Sequence, residues 1–270
     1  IRAWHSFDNV GMIETSASEF LGNAAITGER GKVAAEIMLP ARADGAFRVR
    51  DQLSGVSVDV GLEGTTPAAR AEANGYVVYP AGYANGAHVI HRPTANGTED
   101  YVFFSENLPQ NPELRYKVKL SPEVAGLRFV DQTLEMLDSQ GAPRLRMAPP
   151  YAVDGDGRRL ALNVAIEGCA YDSSFALPWD RPTVDPGARE CTVRLTWSGD
   201  AKAPLVVDPV WTLTKDMREV RRNATTHAVP SQFSNKTRAI VIGGENGTSQ
   251  TSLASTEIFD DATNTWGMGP

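Results

Sequence analysis

The residues best suited to chemistry in this chain are His88 and His91, with Glu99 and Asp100 a few positions on. Histidines and carboxylates hold zinc when three or four of them converge. Residues three apart on a strand point to opposite faces, so His88 and His91 cannot grip one ion from a regular strand. Two ordinary strand histidines are expected. Asp154-Gly-Asp-Gly157 has the opening of a calcium loop, but such a loop needs further oxygen ligands and a closing bidentate Glu. Arg158 and Arg159 follow instead, and a hairpin turn is expected. Trp179, Asp180 and Arg181 lie in a loop with Asp172 and Asp185, where an exposed Trp between charges can stack on a sugar or grip a partner. The plainer reading folds the ring onto the core and pairs Asp180 with Arg181. No Ser-His-Asp arrangement, Gly-x-Ser-x-Gly elbow or phosphate loop is readable. No catalytic residue, metal or cofactor is expected.

Cys169 and Cys191 are the two cysteines of the chain. They bracket a loop rich in Pro, Asp and Gly, and Cys191 is in phase with Val193, Leu195 and Trp197, which places it on a core face. The alternatives are two separate buried thiols or a disulfide. The pattern favours the disulfide, worth about 3 kcal/mol through the unfolded state, and with it an exported protein in an oxidising compartment.

Strands must position these residues. Phe47 and Val49 alternate with arginines, Val56 to Leu62 repeats the pattern, and Leu114, Tyr116, Val118 and Leu120 alternate with Arg115, Lys117 and Lys119. Period two over such runs means strands with one buried face. Short apolar runs at Tyr76–Tyr79, His88–His91, Tyr101–Phe104, Leu127–Val130, Leu134–Leu137, Arg144–Met147, Thr192–Trp197 and Leu205–Val207 continue the series. Leu160, Leu162, Val164 and Ile166 read as one face of one strand, Thr65 to Asn74 as a short helix or loop, and Pro209 as the stop of the last strand. Lys32 to Leu39 reads as a strand. The fold class is all-β: a β-sandwich-like domain, then a single propeller-blade segment.

A net charge of -7 argues against nucleic acid as the main partner. No apolar run approaches the roughly 18–20 residues of a membrane span. The chain opens on Ile1, which reads as a processed product or an excised piece whose signal peptide is already gone.

The last stretch runs from Trp211 through Met217 and Arg221-Arg222 to Ala239-Ile-Val-Ile-Gly243-Gly244, then Glu257-Ile-Phe259 and Trp266. An apolar strand entering Gly-Gly, with an aromatic and a Trp beyond, resembles one Kelch-type repeat, a unit of roughly 50 residues that forms one four-stranded blade. Closure takes about 4–8 blades, so one repeat is not by itself a propeller. Gly97-Thr-Glu-Asp-Tyr101, Pro143-Arg-Leu-Arg146, Pro149-Pro150 and Leu205-Val-Val-Asp-Pro209 resemble the β-rich domain that precedes propeller repeats in large exported bacterial proteins. Gly168-Cys169, the Pro178–Pro182 segment and Cys191 are similar to myxobacterial-type surface proteins of that layout.

These observations divide the chain into an N-terminal strand or loop segment (1–40), an all-β domain (41–210) and a Kelch-like repeat (211–270). The expected function is a non-enzymatic secreted or cell-surface module that binds protein or carbohydrate, or associates with itself. One alternative is a structural subunit that pairs strands through the repeat. Another is the N-terminal part of a galactose-oxidase-like copper oxidase, whose Tyr, His and cross-linked Cys ligands would have to lie beyond Pro270.

Overall fold

The computed structural model describes residues 35–94, 96–174, 182–213, 217, 221–230, 237–246, 251–260 and 265–268. Trp179, Asp180 and Arg181 lie outside these residues. The chain divides into two units at Leu213/Thr214. Among the described residues the regular structure is strand, with a single 3-10 turn at Ala84–Gly86.

In the first unit, β1 (Ala35–Met38), β2 (Phe47–Asp51) and β3 (Ser57–Leu62) form a meander. β4 (Ala71–Ala73), β5 (Tyr76–Tyr79), β6 (His88–Thr94) and β7 (Gly97–Phe104) form a second, and β8 (Glu113–Leu120) returns to pair with β3. Next come β9 (Gly126–Val130), β10 (Thr133–Leu137), β11 (Pro143–Met147), β12 (Tyr151–Val153) and β13 (Arg159–Ala161). β14 (Asn163–Glu167), β15 (Glu190–Thr196), β16 (Leu205–Asp208) and β17 (Val210–Leu213) complete the unit.

They build a six-stranded sheet, β1-β2-β3-β8-β15-β14, and an eleven-stranded sheet in which β7 is the hub. Alternating residues of both sheets meet in one core. Val49, Val58, Tyr116, Val193 and Leu195 come from the smaller sheet, and Val102, Phe104, Met136, Met147, Leu205, Val207 and Trp211 from the larger. Each fully buried large aliphatic chain contributes about 1.5–3 kcal/mol. The outer face of the smaller sheet carries cross-strand ion pairs instead, such as Arg48–Asp59 and Arg194–Glu167.

Three sequence expectations need correction. Thr65 to Asn74 is not a helix: it makes bridges at Thr65 and Ala69 and the strand β4, which covers the edge of β5. The run from Leu160 to Ile166 is not one strand, because β13 pairs with β12 in one sheet and β14 with β15 in the other. Leu162 is the buried crossing point between them. Pro209 does end β16 at Asp208, but β16 is not the last strand of the unit, because β17 resumes at Val210. β16 and β17 follow β7 in a single register on both sides of it, and the Pro209 carbonyl accepts the Asp100 amide at 3.1 Å. A proline costs the ladder one donor but not its alignment. Trp211 therefore sits in the core of the first unit.

The second unit holds β18 (Arg221–Arg222), β19 (Thr225–Pro230), β20 (Thr237–Ile242), β21 (Glu245–Asn246), β22 (Thr256–Asp260) and β23 (Thr265–Met268). β19-β20-β22-β23 form a four-stranded antiparallel sheet in chain order, and β18 pairs with β21.

Candidate functional site

The blade of the second unit is held by one arginine. Arg221 Nη1 donates to the carbonyls of Gly243 (2.9 Å) and Ser255 (2.8 Å). Its Nη2 donates to Ser255 Oγ (2.9 Å) and Glu257 Oε1 (3.0 Å), and Nε also reaches Glu257 Oε1. Both side chains of this ion pair are fully buried. A guanidinium is always charged and is tolerated in the interior only when its fork of donors is met. Arg221 thus joins β18, the end of β20 and β22 through one planar group.

Gly243 and Gly244 make this geometry accessible. Both have positive φ (62° and 89°). A Cβ on Gly244 would stand 2.6 Å from the Arg222 carbonyl oxygen, so only glycine lets the chain cross β18 this closely. Phe259 and Trp266 are direct cross-strand partners with ring centroids 5.2 Å apart, and Ala239 flanks Phe259 on β20. Val241 is buried and lies in register with Glu257. Ile240 and Ile242 alternate to the opposite face, where Ile242 is 46% exposed. The continuous apolar run of β20 therefore serves both faces of the sheet. Met217 is half-buried. Arg221 stands beside Arg222 in the sequence, and nothing local marks it as the buried one of the two. The buried pairing of Arg221 with Glu257 can be found only when strand register is known.

In the first unit Cys169 and Cys191 are disulfide-bonded, with Cα atoms 5.4 Å apart. They close the loop between β14 and β15 just beyond their last paired residues, Glu167 and Thr192. The ends of that loop run along β9: Phe129 N donates to Asp172 O, and Leu127 N donates to Val184 O. The staple thereby covers the edge strand of the larger sheet, where unpaired backbone groups would otherwise invite pairing.

The histidine cluster is split by the sheet. His88 stacks on Phe103 on the outer face, and Glu99 accepts from Arg92 and the Tyr101 hydroxyl on that same face. His91 and Asp100 are direct cross-strand partners that point inward, with Nδ1 3.6 Å from Oδ1. Among the described residues no group of three or more His, Cys, Asp and Glu is arranged to hold a metal. Burial lowers His91 to about 3 and raises Asp100 to about 7, where the nearby Tyr116 hydroxyl acts in the opposite sense and Asp208 adds to the rise. Asp154 caps its own hairpin turn, accepting from the amides of Asp156 and Arg158 and from Arg158 Nε.

No helix among the described residues is long and apolar enough to cross a membrane. No curated protein matches the chain. Residues 236–270 match the Kelch motif, a segment that takes in β20, Gly243-Gly244, Glu257, Phe259 and Trp266 and points to a protein-interaction module of the β-propeller type.

Proposed function

We propose that this chain is a non-catalytic protein-binding or scaffold module of an exported or cell-surface protein, in which a disulfide-stapled sandwich is followed by a Kelch-type blade. The Kelch match over a four-stranded sheet, with its Gly-Gly turn and its Phe259–Trp266 pair, is the observation that carries this reading. The bonded Cys169 and Cys191 support an oxidising compartment, since such bonds persist there and are reduced in the cytosol. Self-association is a second reading, favoured by the exposed Ile242 on the face of β20 opposite Val241.

Photo-crosslinkers placed at Ile242 and Thr225 of the full chain, with extract of the producing cells, test the binding reading. Cross-links to a discrete protein that disappear in Arg221→Met support it. Cross-links between copies, with a mass by light scattering that falls on deletion of residues 214–270, support self-association. Stoichiometric copper with hydrogen peroxide production would sink the non-catalytic reading.

A further inference from the structure

The His91–Asp100 pair serves no part of the reading above, and its surroundings are unusual for two ionisable groups. Phe47 and Tyr79 meet the imidazole edge to face at 4.9 and 5.8 Å between ring centroids. Phe47 and Tyr116 in turn pack against Trp211. His91 Nδ1, both Asp100 oxygens and the Tyr116 hydroxyl are buried without a hydrogen-bond partner. His91 and Asp100 line a cavity of about 10 Å³ together with Phe47, Val60, Tyr79 and Val89. That is about the space of one water, enough to complete their hydrogen bonds.

The ionisable groups on the neighbouring elements do not supply a counter-charge. Tyr116 on β8 and Asp208 on β16 act on Asp100, and no cation does. The Tyr79 hydroxyl on β5 donates to the Pro40 carbonyl at 2.6 Å, and Arg70 and Glu72 act on that tyrosine. Burying a lone carboxylate or imidazolium without a partner costs far more than neutralising it.

We propose that His91 and Asp100 are buried as one neutral pair, imidazole beside carboxylic acid, which keeps a single proton in the folded and the unfolded chain alike. In water between their ordinary ionisation ranges the unfolded chain carries a carboxylate and an imidazolium; on folding, the carboxyl takes up a proton and the imidazole releases one. Proton count is conserved, so the pair adds no pH dependence to folding in mild acid. Either partner alone does.

The sign follows from linkage. With His91 removed, the folded chain holds a proton on Asp100 that the unfolded chain has released, so stability falls as pH rises from about 4 to about 7. With Asp100 removed, the unfolded chain takes a proton that buried His91 refuses, so stability rises with pH from about 3 to about 6.5. Asp208, raised to about 6 chiefly by burial, titrates in every variant and is a shared background.

Urea unfolding of the full chain across this range, followed by hydrogen exchange in β6–β8, tests the proposal. Relative to wild type, His91→Phe should change the folding equilibrium by up to about tenfold per pH unit in one direction and Asp100→Asn in the other, with the double variant returning to the wild-type slope. Single variants whose pH profiles run parallel to wild type would overturn it. Should a variant fail to fold, infrared spectroscopy of the wild-type chain decides. Two protonated-carboxyl components are expected, one fading through about pH 6 with Asp208 and one persisting past it and fading through about pH 7 with Asp100, and absence of the second component refutes the pair.

Discussion

Among the described residues each unit holds a buried pair of ionisable side chains, Arg221–Glu257 in the blade and His91–Asp100 in the sandwich, and the two meet desolvation in opposite ways. In the blade, Arg221 and Glu257 are fully buried and joined at 3.0 Å, with the Gly243 and Ser255 carbonyls and the Ser255 hydroxyl taking up the guanidinium donors. In the sandwich, His91 and Asp100 stand 3.6 Å apart with no such cradle. The difference follows from what each group can give up. An arginine cannot shed its proton, so its interior must be built around the charge. A carboxyl can gain a proton and an imidazole can lose one, so burial alone suffices. The blade spends backbone geometry on its charge, including two left-handed glycines; the sandwich spends none.

The largest effect that could break this comparison is expected from Arg221→Met, which leaves Glu257 buried without its guanidinium. We expect a loss of about 3–5 kcal/mol in the stability of the second unit, read by hydrogen exchange at Val241 and Ile258. The double variant Arg221→Met/Glu257→Leu should recover much of that loss. If it does not, the cradle is valuable for more than neutralisation. Cys169→Ser/Cys191→Ser should cost the first unit about 3 kcal/mol and leave the second unit unchanged, measured by urea unfolding with exchange read out in β14 and β15.

Gly244→Ala should destabilise the blade by about 1–3 kcal/mol, because the added methyl meets the Arg222 carbonyl at a positive φ. Gly187→Ala, also at positive φ but with open space around it, should cost about 1 kcal/mol, both variants being read by thermal unfolding of the full chain. The smallest effect is expected from Tyr116→Phe, under about 1 kcal/mol, since its hydroxyl lies near Asp100 without a hydrogen bond of ordinary geometry. The loss of that hydroxyl should also carry the Asp100 carboxyl band to higher pH, because the tyrosine is the neighbour that favours the carboxylate.

Much of the local architecture was legible from periodicity alone. The alternation through Leu114–Leu120 and Val56–Leu62 declares half-buried strands because side chains on a strand switch faces at every residue. The phase of Cys191 with Val193 and Leu195 announced a core-facing sulfur, and the Gly243-Gly244 doublet with Phe259 and Trp266 announced the Kelch-type blade. Those signals are local, written within a few residues.

What only the tertiary structure decided depends on pairs distant in the chain or on a neighbour that changes partway along a strand. Leu160 and Ile166 share a period but belong to different sheets, and Pro209 sits inside an unbroken register because β7 aligns the residues on both sides of it. His91 and Asp100 are nine positions apart, and their nearness in sequence also takes in His88 and Glu99; only the β6–β7 hairpin sets these two opposite each other. Arg221 and Glu257 are farther apart still, and no spacing rule links them. The sequence by itself determined which residues face inward. Register and topology determined which inward residues meet, because strand pairing is chosen by the whole sheet and not by any one strand.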